Sequence, residues 1–161
     1  MTFSTPTRDM RFALEQMAGF ENLSRSGAFP EVSDDLVDAI LAEIGKFCDN
    51  VVAPLNETSD RQGAVLENGV VRVTPGFKEA YAQYVEAGWN ALSFPEEWGG
   101  QGLPTTLAVA LTDALNAACM SFAIGTTLTT GAVKAILHAA TPDQKQKYLA
   151  KMISGEWTGT M

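Results

Sequence analysis

Apolar residues recur along this chain at intervals of three and four, interrupted by glycine and proline, and the pattern predicts helices almost throughout. Met10, Ala13, Leu14 and Met17 share one helical face that Gly19 stops, and residues 21–30 read as a connecting arm punctuated by Gly27 and Pro30. Ser33 caps a long helix with Asp34 and Asp35 in its first turn; Leu36, Val37, Ile40, Leu41, Ile44, Phe47, Cys48 and Val51 give it a wide apolar face. Pro54 ends or kinks that helix. Asn68-Gly69, set between two β-branched runs, predicts a small hairpin near 64–73. Pro75 starts the next helix in its first turn, with Phe77, Ala80, Tyr81, Tyr84 and Val85 on one face and Gly88 closing it.

After a loop, Pro104 opens "PTTLAVALTDALNAACM", and "SFAIGTTLTTGAVKAILHAA" follows as a second helix interrupted by Gly125 and Gly131. Both are apolar on almost every side, which predicts that other elements enclose them. Thr141 as N-cap and Pro142 in the first helical position begin the last helix, which Gly155 ends. Trp157, Thr158 and Thr160 then favour a strand that would need a partner. The pattern as a whole predicts an all-α helical bundle with one small β-hairpin.

Composition narrows this. At 161 residues, 46% hydrophobic and 19% charged, the chain fits one domain with a core large enough to need no staple. Cys48 and Cys119 lie far apart in apolar stretches and read as buried free thiols in a reducing compartment. A net charge of −8 argues against a nucleic-acid footprint. No window has the roughly 18 uninterrupted apolar residues of a spanning helix, and the N-terminus lacks a signal-peptide core; the expectation is a cytoplasmic protein without membrane insertion.

Candidate chemistry is sparse. His138, the only histidine, reads as a hydrogen-bonded packing residue facing a helix C-terminus, and no metal site is expected. Glu96 and Glu97 are adjacent in a loop and read as solvated rather than as a facing acid pair. "GGQG", residues 99–102, lacks the Lys-Ser/Thr of a phosphate loop. "GTTLTTG", residues 125–131, puts four threonines and two glycines inside an apolar helix. Small residues there let a neighbouring helix approach, or they leave a narrow, mildly polar surface for a ligand; both readings stand.

"DMRF" (9–12), "SFPEEWGGQGLP" (93–104) and "TPDQKQKYLAKMISGEWTGTM" (141–161) together resemble the N-terminal part of acyl-CoA dehydrogenases. The first resembles the extra segment of a subgroup with enlarged subunits, to which the 3-methylmercaptopropionyl-CoA dehydrogenases belong. The resemblance implies an N-terminal extension at 1–30, a helical domain at 31–154, and the start of a β-domain at 155–161 that the chain leaves unfinished. It also implies FAD, an acyl-CoA substrate whose Cα–Cβ bond is oxidised, an electron-transfer flavoprotein or similar acceptor, and a homodimer or homotetramer. Carried over residue by residue, Thr127, Leu128 and Gly131 match the helix wall along the acyl chain. Phe94 matches the closed end of the pocket, and Met161 a flavin contact. The four threonines point to a short or polar acyl group. The flavin segment and the catalytic carboxylate would lie beyond Met161, so the chain alone is expected to be inactive and to self-associate through faces a β-domain would cover. A standalone helical interaction module, or a flavoprotein of the same fold with different chemistry, are the alternatives.

Overall fold

Helices supply nearly all the regular structure in the computed structural model, which describes residues 3–160 and, of Ser24, the backbone only. Thr7–Gln16 forms α1, whose Met10 and Leu14 are buried, and Arg11 ties it to the next layer through Asp34 at 2.7 Å and Asp38 at 3.4 Å. The expected arm is partly helical: Phe20–Arg25 is a short α2 that starts at Gly19 in the left-handed region (φ 63°). Burial of Phe20, 4% exposed, pins this turn to the core.

Asp34–Phe47 is α3, and the Ser33 hydroxyl accepts the Leu36 N–H at 3.2 Å as the cap. Pro54 does not end the helix. A π turn over Cys48–Val52 intervenes, and α4 continues from Ala53–Gln62. The Ala53 N–H reaches back to the Cys48 carbonyl, five residues earlier, so the wider turn absorbs the register that proline disturbs.

β1 (Val65–Glu67) and β2 (Val70–Arg72) pair antiparallel with Glu67 opposite Val70, and Asn68 (φ 51°) and Gly69 (φ 78°) make the turn. Both strands are exposed throughout. Helix α5, Phe77–Glu86, begins after Gly76 at φ 91°, so Pro75 precedes the helix instead of opening it: a left-handed residue between them breaks the helical path. Two 3₁₀ turns, Trp89–Ala91 and Glu96–Trp98, shape the loop that follows. Glu96 and Glu97 are both exposed. The glycines wrap a backbone carbonyl: the Gly102 N–H donates to Phe94 O at 2.9 Å, and a Cβ on Gly100 would sit 2.0 Å from that oxygen.

The central element is α6, Thr105–Ala139, which packs against α3, the π turn, α4 and α7 (Pro142–Ile153). Its dihedrals break at Cys119 (φ −160°, ψ 97°), next to the expected division at 120–121, whereas Gly125 and Gly131 interrupt nothing. At the break, Ser121 Oγ lies 3.3 Å from Cys119 Sγ and 2.8 Å from Ser59 Oγ on α4, so side-chain partners gather where the backbone ladder is disturbed. Both cysteines are free and buried. Helix α6 is long and apolar enough, by length and composition, to cross a membrane, although half of its most apolar stretch is buried within this chain. It is not enclosed on all sides: Val109, Met120 and Ile124 are 61%, 64% and 57% exposed, because its neighbours cover one flank only.

The main core runs from α1 to the first half of α6, with Tyr84 between Phe47 and Phe122 at centroid distances of 6.2 Å each. A second cluster joins Phe94, Val133, Leu149, Met152 and Ile153. Thr141 and Gln144 form a reciprocal capping box on α7. His138 is exposed in the last turn of α6 and has no hydrogen bond among the described residues, so it faces the helix end without the packing role expected of it. Residues 156–160 form no strand; the Trp157 N–H bonds to Lys151 O at 2.9 Å and the segment turns back onto α6.

Candidate functional site

Beyond the Cys119 break, α6 presents two flanks. Ile124, Thr127, Leu128 and Gly131 stand at i, i+3, i+4 and i+7, which places them on one face. Ile124, Thr127 and Gly131 are exposed and Leu128 is half-buried. A Cβ built on either Gly125 or Gly131 meets nothing within 4 Å, so no helix approaches closely there within this chain. The threonines do not present hydroxyls outward. Thr126 and Thr127 donate to Ala123 O at 2.8 and 3.0 Å, Thr129 reaches Gly125 O at 3.2 Å and Thr130 reaches Thr126 O at 3.1 Å. Each hydroxyl thus has an acceptor on the helix backbone, so its proton is already engaged, and Thr129 also meets Gly159.

The other flank borders a cavity of about 490 Å³. Phe77 and Tyr81 of α5, Phe122, Gly125 and Leu128 of α6, and residues 158–160 form its walls, so Leu128 separates the cavity from the open face. The Tyr81 hydroxyl donates to Gly155 O at 3.1 Å, and burial raises its pKa. Burial raises that of Tyr84 as well, against the opposing pull of its hydrogen bond to Thr126, so both phenols are neutral at pH 7. A separate apolar groove of about 540 Å³ runs between α1 and the first half of α6, lined by Met10, Leu14, Met17 and Val109.

Of the residues singled out in the sequence, the structure brings Thr127, Leu128 and Gly131 together on one face. Phe94 lies elsewhere, 4% exposed inside the second cluster, with its carbonyl holding the glycine loop. Met161 falls outside the described residues. Sequence reasoning missed Tyr81 and the contact between Thr129 and Gly159, because both join residues tens of positions apart. Among the described residues no three His, Cys, Asp or Glu side chains are grouped to hold a metal.

The family model for the acyl-CoA dehydrogenase N-terminal domain matches residues 34–156. The chain belongs to that family. Similar curated proteins include a 3-methylmercaptopropionyl-CoA dehydrogenase of Ruegeria pomeroyi, 42% identical over 161 residues, covering 100% of this chain and 27% of the relative. A butyryl-CoA dehydrogenase of Syntrophomonas wolfei is 31% identical over 158 residues, covering 96% of this chain and 26% of its own length. The chain therefore spans about a quarter of the length of these relatives. The first alignment also takes in the residues ahead of 34, so α1 and α2 of this acyl-CoA dehydrogenase domain have counterparts in a relative. A solved structure from work on the electron transferring flavoprotein of Acidaminococcus fermentans aligns at a TM-score of 0.63 and 23% identity, over 79% of this chain and 30% of its own. That likeness speaks for the fold alone.

Proposed function

We propose that this chain is the N-terminal helical domain of an FAD-dependent acyl-CoA dehydrogenase that oxidises the Cα–Cβ bond of an acyl-CoA thioester, and that Ile124, Thr127, Leu128 and Gly131 form one wall along the acyl chain. The observation that carries this is the uncovered face on α6, apolar or small at each of its four positions, with its threonine hydroxyl already engaged. An alkyl chain laid there loses water from both surfaces at roughly 25 cal/mol per Å² and leaves no polar group unpaired. Family membership supplies the thioester and the reaction class.

A bound flavin would supply the acceptor for the β-hydride. Around the cavity the hydroxyls of Tyr81, Ser121 and Thr126 are bonded within the chain, whereas Lys78, Thr158 and Thr160 also line it and make no side-chain hydrogen bond among the described residues. This domain contributes binding, orientation and water exclusion for the acyl group. An electron-transfer flavoprotein or a similar acceptor is the proposed redox partner of the whole polypeptide.

The test is a chain-length series of thioesters assayed with an artificial acceptor on the polypeptide that carries all its domains. Gly131→Phe fills the open space beside the wall and is expected to lower kcat/KM for the longest accepted thioester by about 10- to 200-fold, while the shortest is little affected. An unchanged length profile removes the wall assignment. Failure of every thioester to bleach the flavin removes the dehydrogenase assignment.

A further inference from the structure

The residues leaving the domain are held by a contact that the wall does not explain. Thr129 Oγ1 lies 3.1 Å from the Gly159 N–H, which donates to it, and 3.2 and 3.4 Å from the carbonyls of Gly125 and Gly159, which compete for its own proton. One side chain therefore satisfies an outgoing backbone amide thirty residues later. Gly159 allows the approach: a Cβ there would stand 2.6 Å from Ala132 Cβ and 3.1 Å from Met152 Cε. Its φ is not in the positive region, so glycine is required by the close contact with α6 and not by backbone conformation. Upstream, Tyr81 holds Gly155 and Lys151 holds the Trp157 N–H; from there to Thr160, Thr129 is the anchoring side chain among the described residues.

We propose that Thr129 is a positioning residue: it fixes the outgoing segment, residues 157–160, in register with the acyl wall one residue away on the same helix. The proposal rests on the function above. If the wall at Leu128 and Gly131 orients the acyl chain, whatever the downstream polypeptide brings to the reacting carbons is placed relative to it through this latch. Misplacement by about 1 Å at such a site costs on the order of 100-fold in rate. Thr129 itself lies outside the wall and the cavity lining, although its partners Gly125 and Gly159 line the cavity, so its loss is expected to displace the outgoing segment more than to weaken acyl binding.

The test uses the full polypeptide with Thr129→Val, which keeps the shape and removes the hydroxyl, Thr129→Ser, which restores it, and Gly159→Ala, which forces the segment off the helix. Thr129→Val and Gly159→Ala are expected to lower kcat per bound flavin about tenfold or more, with KM within about twofold and a shifted visible flavin spectrum; Thr129→Ser stays near wild type. Amide hydrogen exchange at 158–160 is expected to quicken in the first two variants only. Unchanged exchange in Thr129→Val overturns the latch. Faster exchange with wild-type kcat and spectrum makes the contact a mere clasp and overturns the positioning role. A wild-type enzyme whose flavin no thioester bleaches overturns the proposed function, and with it any catalytic meaning of the latch, while exchange at Gly159 still reads the contact itself.

Discussion

Cys48 sits in the π turn with no exposed surface, and burial, reinforced by the charge of Asp49, raises its pKa from 9.0 to about 12. In the unfolded chain the thiol ionises near its ordinary value, so between the two pKa values the folded state holds the extra proton. Stability is therefore complete below about pH 9 and falls as pH rises toward 12, by up to about 1.4 kcal/mol per pH unit. Tyr84, also raised by burial, adds to the slope only above its ordinary 10.0. Denaturant unfolding between pH 8 and 10 measures this, and Cys48→Ala should lose the slope between pH 9 and 10; an unchanged slope would place its origin elsewhere. The thiol itself could be identified from sequence as a buried one, since an apolar stripe at helical spacing surrounds it. The site was partly readable on the same terms. Thr127, Leu128 and Gly131 share a face because 3.6-residue periodicity says so, whereas the inward turn of the threonine hydroxyls depends on rotamers that periodicity does not encode.

Among elements, those whose cause is local agree with their sequence signals. Ser33 caps α3, Asn68-Gly69 turns the hairpin, and Thr141, Pro142 and Gln144 start α7, because each signal acts within four residues. Thr141→Ala removes one half of the capping box and is expected to cost about 1 kcal/mol, with Thr141→Ser retaining most of it, as read from denaturant midpoints at unchanged slope. No loss in the alanine variant would mean that packing of Leu149 and Ile153 alone sets the helix start. The π turn ahead of Pro54 answers the local disturbance by that proline, whereas the break at Cys119 is held by tertiary contacts. Ser59 lies on α4 and its partners lie on α6, sixty residues away, so the sequence divides the helix near Cys119 but does not reveal the contacts gathered there. Gly125 and Gly131 mislead for the converse reason: their cost in helix propensity, about 1 kcal/mol each, is offset by the long helix on either side.

At the scale of the whole molecule, the core and the apolar surface lie on opposite flanks of α6. Leu107, Leu111, Leu115 and Val133 face inward and are almost fully buried, while Val109, Met120 and Ile124 face out. The same asymmetry runs along the groove where Met17, 80% exposed, lies beside Val109. A contiguous apolar surface of this kind is unfavourable in water and is relieved by association. Sedimentation velocity on the 161-residue chain is therefore expected to show a concentration-dependent shift from monomer to larger species. A double change, Met120→Lys with Ile124→Lys, should abolish much of that shift without altering the far-ultraviolet circular dichroism, because neither side chain contributes to the core. Changing Met17→Lys alone separates the two surfaces: if it has the larger effect, the groove beside α1 drives association and the acyl wall does not. A monomer at all concentrations in the unmodified chain would show that the exposed face is too narrow to associate, and that an alkyl chain along it would need a second wall to be retained.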